Sequence, residues 1–79
     1  MREPILVPDL AAPNVVLSVW YVKPGEKVVP GDRLVELLLG SATFDLASPC
    51  AGVLIEQTAV ADEVLAPGQT VGFLEVGDA

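Results

Sequence analysis

The sequence GEKVVPG at residues 25–31 recurs in diverged form as DEVLAPG at residues 62–68. A shift of 37 positions brings Pro-Gly onto Pro-Gly without a gap. The same shift aligns apolar positions on both sides: Val16 with Val53, Leu17 with Leu54, Leu34 with Val71 and Leu37 with Leu74. Two copies of one supersecondary unit predict two similar sheets that are related by an approximate two-fold axis and share one core. Chance similarity between two β-rich halves is the alternative that the pattern leaves open.

Turn residues divide the chain into short apolar runs. Its 7 prolines and 7 glycines are spread along 79 residues, and a proline inside a helix costs about 3 kcal/mol. The runs between them are rich in β-branched and aromatic residues, as in residues 15–22, which is typical of strands. The one helical candidate, residues 58–65, is short and has Asp62 in its middle, so we expect a turn and a short strand there. The pattern predicts one all-β domain over residues 1–79.

The composition excludes several classes of partner and site. There are 11 acidic and 4 basic residues, a formal net charge of −7, no histidine and one cysteine. Zinc-site spacings and a histidine-based triad need residues that the chain does not have, and one cysteine forms no internal disulfide. Nucleic-acid phosphates and anionic membrane surfaces would repel this charge, and the uncharged runs are too short to span a bilayer. We therefore expect a cytoplasmic domain that binds no nucleic acid, membrane or metal.

Six motifs together carry a resemblance to a known family. They lie at residues 5–10 (ILVPDL), 20–28 (WYVKPGEKV), 31–36 (GDRLVE), 42–46 (ATFDL), 48–54 (SPCAGVL) and 67–69 (PGQ). In this combination, over residues 5–76, the chain resembles a lipoyl domain of the biotinyl/lipoyl carrier family, as in acyltransferase subunits of 2-oxo acid dehydrogenase complexes. The resemblance implies a flattened barrel-sandwich hybrid of two four-stranded antiparallel sheets with quasi-two-fold symmetry, which agrees with the repeat.

The chain departs from this family at the tip of a predicted hairpin, formed by Leu38, Leu39, Gly40, Ser41 and Ala42. Family members present a lysine there, whose amine forms an amide with lipoate or biotin. Alignment on residues 42–45 places Ser41 in the lysine position and Gly40 in the position of the preceding aspartate. The only lysines, Lys23 and Lys27, belong to a different turn. We therefore expect Ser41 to be unmodified and the chain to carry no cofactor, although its relatives carry lipoate.

These residues allow three functions to be compared. The first is an unmodified, non-catalytic interaction or structural module, with protein partners among the components of a dehydrogenase complex. The alternative is a true swinging-arm carrier whose attachment site is mutated or unconventional. An enzyme is disfavoured, because general acid–base or nucleophilic chemistry would lack histidine and a clustered acid pair. Ser41 as a phosphopantetheine acceptor is also disfavoured, because such serines begin a helix, whereas Gly-Ser suits a tight turn.

Three other features carry expectations: the leucines before the tip, the cysteine and the adjacent aromatic pair. Leu37, Leu38 and Leu39 precede the tip; exposed there, they would bind a partner or a second copy of the chain, and the alternative is that the hairpin buries them locally. Since side chains alternate along a strand, Leu38 should face away from Leu37 and Leu39. Cys50 has no nearby basic residue in sequence, so we expect a buried, inert thiol. Of Trp20 and Tyr21, one should pack in the core and the other should lie on the surface.

Overall fold

Eight β-strands form the secondary structure of residues 1–77, the part of the chain that the computed structural model describes. In chain order they are β1 (Arg2–Leu6), β2 (Val15–Trp20), β3 (Lys27–Val28), β4 (Arg33–Leu39), β5 (Ala42–Ala47), β6 (Gly52–Gln57), β7 (Val64–Leu65) and β8 (Thr70–Glu75). One sheet has the strand order β1-β8-β6-β3 and is called the terminal sheet. The other has the order β5-β4-β2-β7 and is called the hairpin sheet. All neighbouring strands are antiparallel. The predicted all-β sandwich of two four-stranded sheets is confirmed, and it is not a closed barrel.

The internal repeat appears in the topology and in the turns. Exchanging β2 for β6, β3 for β7, β4 for β8 and β5 for β1 converts one sheet order into the other. Gly25 has a φ of 97° and donates its N–H to Leu54 O at 2.7 Å. Asp62 has a φ of 73° and donates its N–H to Leu17 O at 2.8 Å. The two halves therefore share a backbone conformation as well as a sequence pattern.

Most of the positions aligned by the repeat lie in one core between the sheets. The side chains of Leu17, Leu34, Leu37, Leu54, Val71 and Leu74 are completely buried. Burying a side chain of this size stabilises the fold by about 1.5–3 kcal/mol relative to exposure. Val16 and Val53, the fourth aligned pair, are only half-buried and lie on the outer faces of the two sheets. The repeat thus specifies outward-facing as well as inward-facing positions.

A β-bulge interrupts the same place in both halves. The register of β2 against β4 shifts between Leu17 and Val19, and that of β6 against β8 shifts between Leu54 and Glu56. A bulge adds one residue to one strand and reverses the inward–outward phase beyond it. Beyond the first bulge, Trp20 packs against the core and donates its indole N–H to Ala59 O at 3.0 Å. Tyr21 is exposed, so the prediction that the two aromatic residues divide between core and surface is confirmed.

The predicted turn and short strand within residues 58–65 are also present. Residues 61–62 form the turn and β7 follows at Val64–Leu65. Within residues 1–77 no helix is long and apolar enough to cross a membrane.

Candidate functional site: the tip of the β4–β5 hairpin

A two-residue turn closes the β4–β5 hairpin. Leu39 pairs with Ala42, and Gly40 and Ser41 form the turn between them. Gly40 has a φ of 71°, while Ser41 keeps a negative φ. A positive φ at the first central residue alone is the pattern of a type II′ hairpin turn, which favours glycine at that position. Gly40, Ser41 and Ala42 are all exposed, so the structure places Ser41 at the outermost point of this hairpin.

The three leucines before the tip alternate between the two faces of β4, as predicted. Leu37 is completely buried and Leu39 is half-buried against the core. Leu38 lies on the opposite face and is half-buried. The idea that all three leucines form an adhesive tip is therefore wrong for Leu37, because a core side chain is not available to a partner. Local burial describes Leu37 and Leu39, and Leu38 is the leucine that faces outward.

The amino groups of the chain lie in or beside the terminal sheet. Lys27 is in β3 and pairs with Val53 of β6. Lys23 enters the turn in which Gly25 bonds to the backbone of β6. The Met1 ammonium lies 2.8 Å from a carboxylate oxygen of Glu75 in β8. Its hydrogen bond and its charge hold the pKa of Glu75 below the ordinary value. The hairpin sheet therefore contributes no amino group to the hairpin tip.

Two carboxylates, a phenol and a guanidinium form a polar cluster on the outer face of the hairpin sheet. The Tyr21 hydroxyl lies 3.2 Å from Glu36 Oε2 and 3.1 Å from Asp45 Oδ1, and it can donate its one proton to either. The Arg33 guanidinium lies 3.4 Å from Asp45 Oδ2 and 4.8 Å from the centre of the Tyr21 ring. Desolvation and the two carboxylates, Asp45 before Glu36, raise the pKa of Tyr21. This polar cluster lies one outward row away from Leu38.

The remaining candidates do not form a reactive or metal-binding group. Cys50 is half-buried and packs against the core, which corrects the expectation of a buried thiol. It follows β5 in a loop where Ser48 Oγ donates to Cys50 O at 2.7 Å, and this loop leaves part of the residue in contact with solvent. Across residues 1–77 no group of three or more His, Cys, Asp or Glu side chains is placed to hold a metal ion.

The relatives found by sequence are acyltransferases of one kind. The chain is 30% identical over 73 residues, 90% of its length, to the dihydrolipoyllysine-residue succinyltransferase component of the 2-oxoglutarate dehydrogenase complex of Buchnera aphidicola subsp. Schizaphis graminum. It is 27% identical over 79 residues to the same component of Rickettsia conorii. The chain spans about a fifth of the length of these relatives, 19% and 20% respectively. No protein-family model matches the chain.

The solved structures agree with the sequence relatives. The lipoyl domain of the 2-oxoglutarate dehydrogenase complex of Azotobacter vinelandii superposes with a TM-score of 0.75, at 20% identity, over 94% of this chain and 99% of that one. This chain has the fold of a lipoyl domain. The same fold occurs within a single-chain, multi-domain long-chain acyl-CoA carboxylase, which matches over 99% of this chain and 7% of that one, with a TM-score of 0.75 and 17% identity.

Sequence reasoning found the hairpin tip of this fold but missed a group of side chains beside it. Val16, Val19 and Val64 join Leu38 on the outer face of the hairpin sheet. Their positions depend on strand pairing and on the β2 bulge, neither of which a single strand pattern reveals. The repeat was the one signal that could have found them, since it aligns Val16, Val19 and Val64 with Val53, Glu56 and Lys27.

Proposed function

We propose that this lipoyl-type domain carries no covalently attached cofactor and acts as a non-catalytic interaction module in or beside a 2-oxo acid dehydrogenase acyltransferase assembly. One observation carries the proposal: Ser41 occupies the exposed turn of the β4–β5 hairpin, where the family resemblance assigns the attachment lysine. A lysine there would extend an amine into solvent from a fixed turn. Serine offers a short hydroxyl, which cannot form the amide that links lipoate or biotin to the carrier.

The lysines that the chain does contain do not replace the missing one. Lys27 lies in β3 of the terminal sheet, and Lys23 lies before a turn bonded to β6 of that sheet. An enzyme that attaches a cofactor at a hairpin tip would meet neither of them beside Ser41. A phosphopantetheine arm on Ser41 is disfavoured as well, because Ser41 lies in a β-turn and begins no helix.

The side chains at the tip also lack catalytic groups. Residues 38–42 are leucine, leucine, glycine, serine and alanine. General acid–base or nucleophilic catalysis needs a titratable group within hydrogen-bond reach of the reacting atom or of the nucleophile. The tip supplies one hydroxyl and no base in sequence beside it. This supports a role in contact with other proteins, and the acyltransferase relatives point to dehydrogenase-complex components as the partners.

Intact-mass spectrometry after co-expression with a lipoate ligase, and separately with a biotin ligase, tests the proposal. We expect the mass of the unaltered chain to equal the mass of its sequence in both experiments. A lipoyl domain that contains the usual lysine, co-expressed in parallel, shows that the ligase is active. A cofactor-sized increase on any residue of this chain would overturn the proposal and establish the alternative, a swinging-arm carrier with an unconventional attachment site.

A double variant, Gly40→Asp with Ser41→Lys, asks whether the tip alone prevents modification. If the hairpin surface is otherwise intact, the variant gains the mass of lipoate while the unaltered chain does not. The single variant Ser41→Ala is the matched control, since it changes the same position without adding an amine and should stay unmodified. A double variant that remains unmodified would show that the surface around the tip has diverged too, which further disfavours the carrier alternative.

A further inference from the structure

Four apolar side chains lie together on the outer face of the hairpin sheet. Val64 pairs with Val16, and Val16 pairs with Leu38, so these three residues form one row across β7, β2 and β4. Thr43 of β5 ends the row, and Val19 lies beside it in the next outward row. Val64 is 63% exposed and Val19 is 43% exposed. We call Val16, Val19, Leu38 and Val64 the apolar patch.

The equivalent positions of the terminal sheet hold mostly charged residues. By the repeat, Val16, Val19, Leu38 and Val64 correspond to Val53, Glu56, Glu75 and Lys27. The pairings agree, because Val53 contacts both Glu75 and Lys27 in the corresponding row. Three of the four apolar residues are therefore charged in the other sheet of the same fold. The fold therefore does not require apolar side chains at these positions, since it accommodates charged residues at three of the four equivalents.

The surroundings of the patch carry negative charge. Glu36 and Asp45 continue the outward row of Val19, beside Leu38, and the Arg33 guanidinium lies next to Asp45. Asp62 is exposed in the turn that leads into β7. The whole chain has a formal net charge of −7. A partner that covers the patch gains most if basic side chains border its apolar surface, because charge complementarity speeds encounter and suppresses wrong partners.

We propose that the apolar patch docks an amphipathic helix of a partner protein, with lysine or arginine residues bordering the apolar stripe of that helix. The inference deepens the proposed function and rests on it, since it gives the interaction module a surface and a partner chemistry. A helix packs its apolar stripe on one face of a sheet. The apolar row from β4 to β7 spans two strand spacings, about 10 Å, which about two turns of helix cover.

A second copy of the chain fits this surface less well. An isologous dimer through the patch would bring two sets of Glu36, Asp45 and Asp62 together, on two chains of net charge −7 each. Like charges placed opposite one another across an interface are unfavourable. The same acidic border attracts a helix edged with basic residues, so the charge pattern selects the partner.

The intact mass of the isotopically labelled chain is recorded first. The chain is then titrated with two designed peptides, and NMR follows its amide resonances. Both peptides have about 18 residues, enough for a helix in water, and the same leucine stripe. Lysine borders the stripe in one peptide and glutamate borders it in the other. We expect the lysine-bordered peptide to bind, with shifts centred on the patch, and to bind more weakly in about 1 M salt, where the Debye length is about 3 Å. Equal binding of both peptides, no binding, or shifts centred on the terminal sheet would overturn the proposal.

Variants copied from the terminal sheet supply the controls. Leu38→Glu with Val64→Lys introduces the residue types of Glu75 and Lys27, which the same fold accommodates. We expect the affinity to fall about tenfold or more, as at an interface hot spot, with thermal unfolding by circular dichroism showing a folded chain. Val16→Thr should weaken binding, whereas Val53→Thr, the same change at the equivalent position, should not. Equal effects of these two substitutions would contradict the proposal.

Two further results separate this inference from the proposed function. Sedimentation of the concentrated chain should show a monomer; a dimer that the double variant abolishes would overturn the inference in favour of a second copy as the occupant. The intact mass recorded at the start bears on the proposed function alone. A cofactor-sized increase would overturn that function even if the peptide binds at the patch, and an unmodified chain that binds neither peptide would overturn the docking inference alone.

Discussion

Asp62 adopts the same left-handed backbone conformation as Gly25, 37 positions before it, with φ values of 73° and 97°. Each donates its N–H to the central leucine of a strand in the other half, Asp62 to Leu17 and Gly25 to Leu54. Glycine adopts positive φ freely, and aspartate does so more readily than most other residues. The repeat therefore preserves the turn even where it does not preserve the residue.

Substitutions at these two turns should differ in a defined way. Gly25→Ala should lower the free energy of unfolding by about 1–2 kcal/mol, because alanine is strained at positive φ and no atom lies within 4 Å of the added Cβ to change packing. Asp62→Gly should leave stability unchanged or raise it, because the turn already has the conformation that glycine prefers. Urea denaturation measures both. Equal destabilisation by the two substitutions would show that backbone strain does not set the cost.

Neighbouring leucines on β4 should have very different effects on stability. Leu37→Ala should cost about 2–5 kcal/mol, because it removes a completely buried side chain and leaves a cavity. Leu38→Ala should cost much less, because Leu38 faces outward and is already partly in contact with solvent. Denaturant unfolding of the two variants side by side tests the assignment of the faces. A larger loss of stability for Leu38→Ala than for Leu37→Ala would contradict the assignment of Leu37 to the core.

Gly72 is required by close backbone packing at the β6 bulge. A Cβ at this position would lie 2.6 Å from Glu56 O and 3.0 Å from a carbon of the Trp20 ring. Gly72→Ala should therefore destabilise the fold by about 1–3 kcal/mol through overpacking, with a change in tryptophan fluorescence, since Trp20 is the only tryptophan. Gly77→Ala is the matched control, because nothing lies within 4 Å of its added Cβ. Unchanged stability in Gly72→Ala would contradict the bulge geometry.

The single tyrosine should titrate above its ordinary pKa of 10.0. Desolvation comes first among the causes, followed by hydrogen bonding of the one phenol proton to Asp45 or Glu36. Asp45→Asn or Glu36→Gln should move the pKa of Tyr21 back toward 10.0, and Glu3→Gln, in the terminal sheet, should not move it. The ultraviolet absorbance of tyrosinate follows the titration directly. A pKa at or below 10.0 in the unaltered chain would contradict this polar cluster.

The same shift gives a pH dependence of stability with a definite sign. The folded state holds the Tyr21 proton more tightly than the unfolded state, so its contribution to stability is complete below pH 10.0. It is lost as the pH rises through the higher pKa of the folded state. Asp45→Asn should make the loss of stability above pH 10.0 smaller, as measured by urea denaturation at a series of alkaline pH values.

Much of the fold could be predicted because the sequence contains two copies of one supersecondary pattern. The shift of 37 residues identified the turns at Gly25 and Asp62 and the buried leucine pairs, and the symmetry of the two sheets followed. The hairpin tip at Ser41 was located by the family motifs on both sides of it. Each of these features depends on local sequence or on a comparison within the chain.

The faces of β2 could not be predicted in the same way. Simple alternation from the buried Leu17 would place Val19 inside and Trp20 outside. The bulge between Leu17 and Val19 reverses this phase, so Trp20 packs inward and Val19 lies on the surface. A bulge depends on pairing with β4, which is a tertiary contact. The half-exposure of Cys50 was missed for a related reason, since burial in a loop depends on what the rest of the fold places over it.

The mass of the chain after co-expression with an active lipoate ligase tests the central claim most directly. A serine at the hairpin tip, with both lysines beside the terminal sheet, predicts a mass equal to that of the unmodified sequence. A chain that gains the mass of lipoate, on Ser41 or on any other residue, would contradict the account.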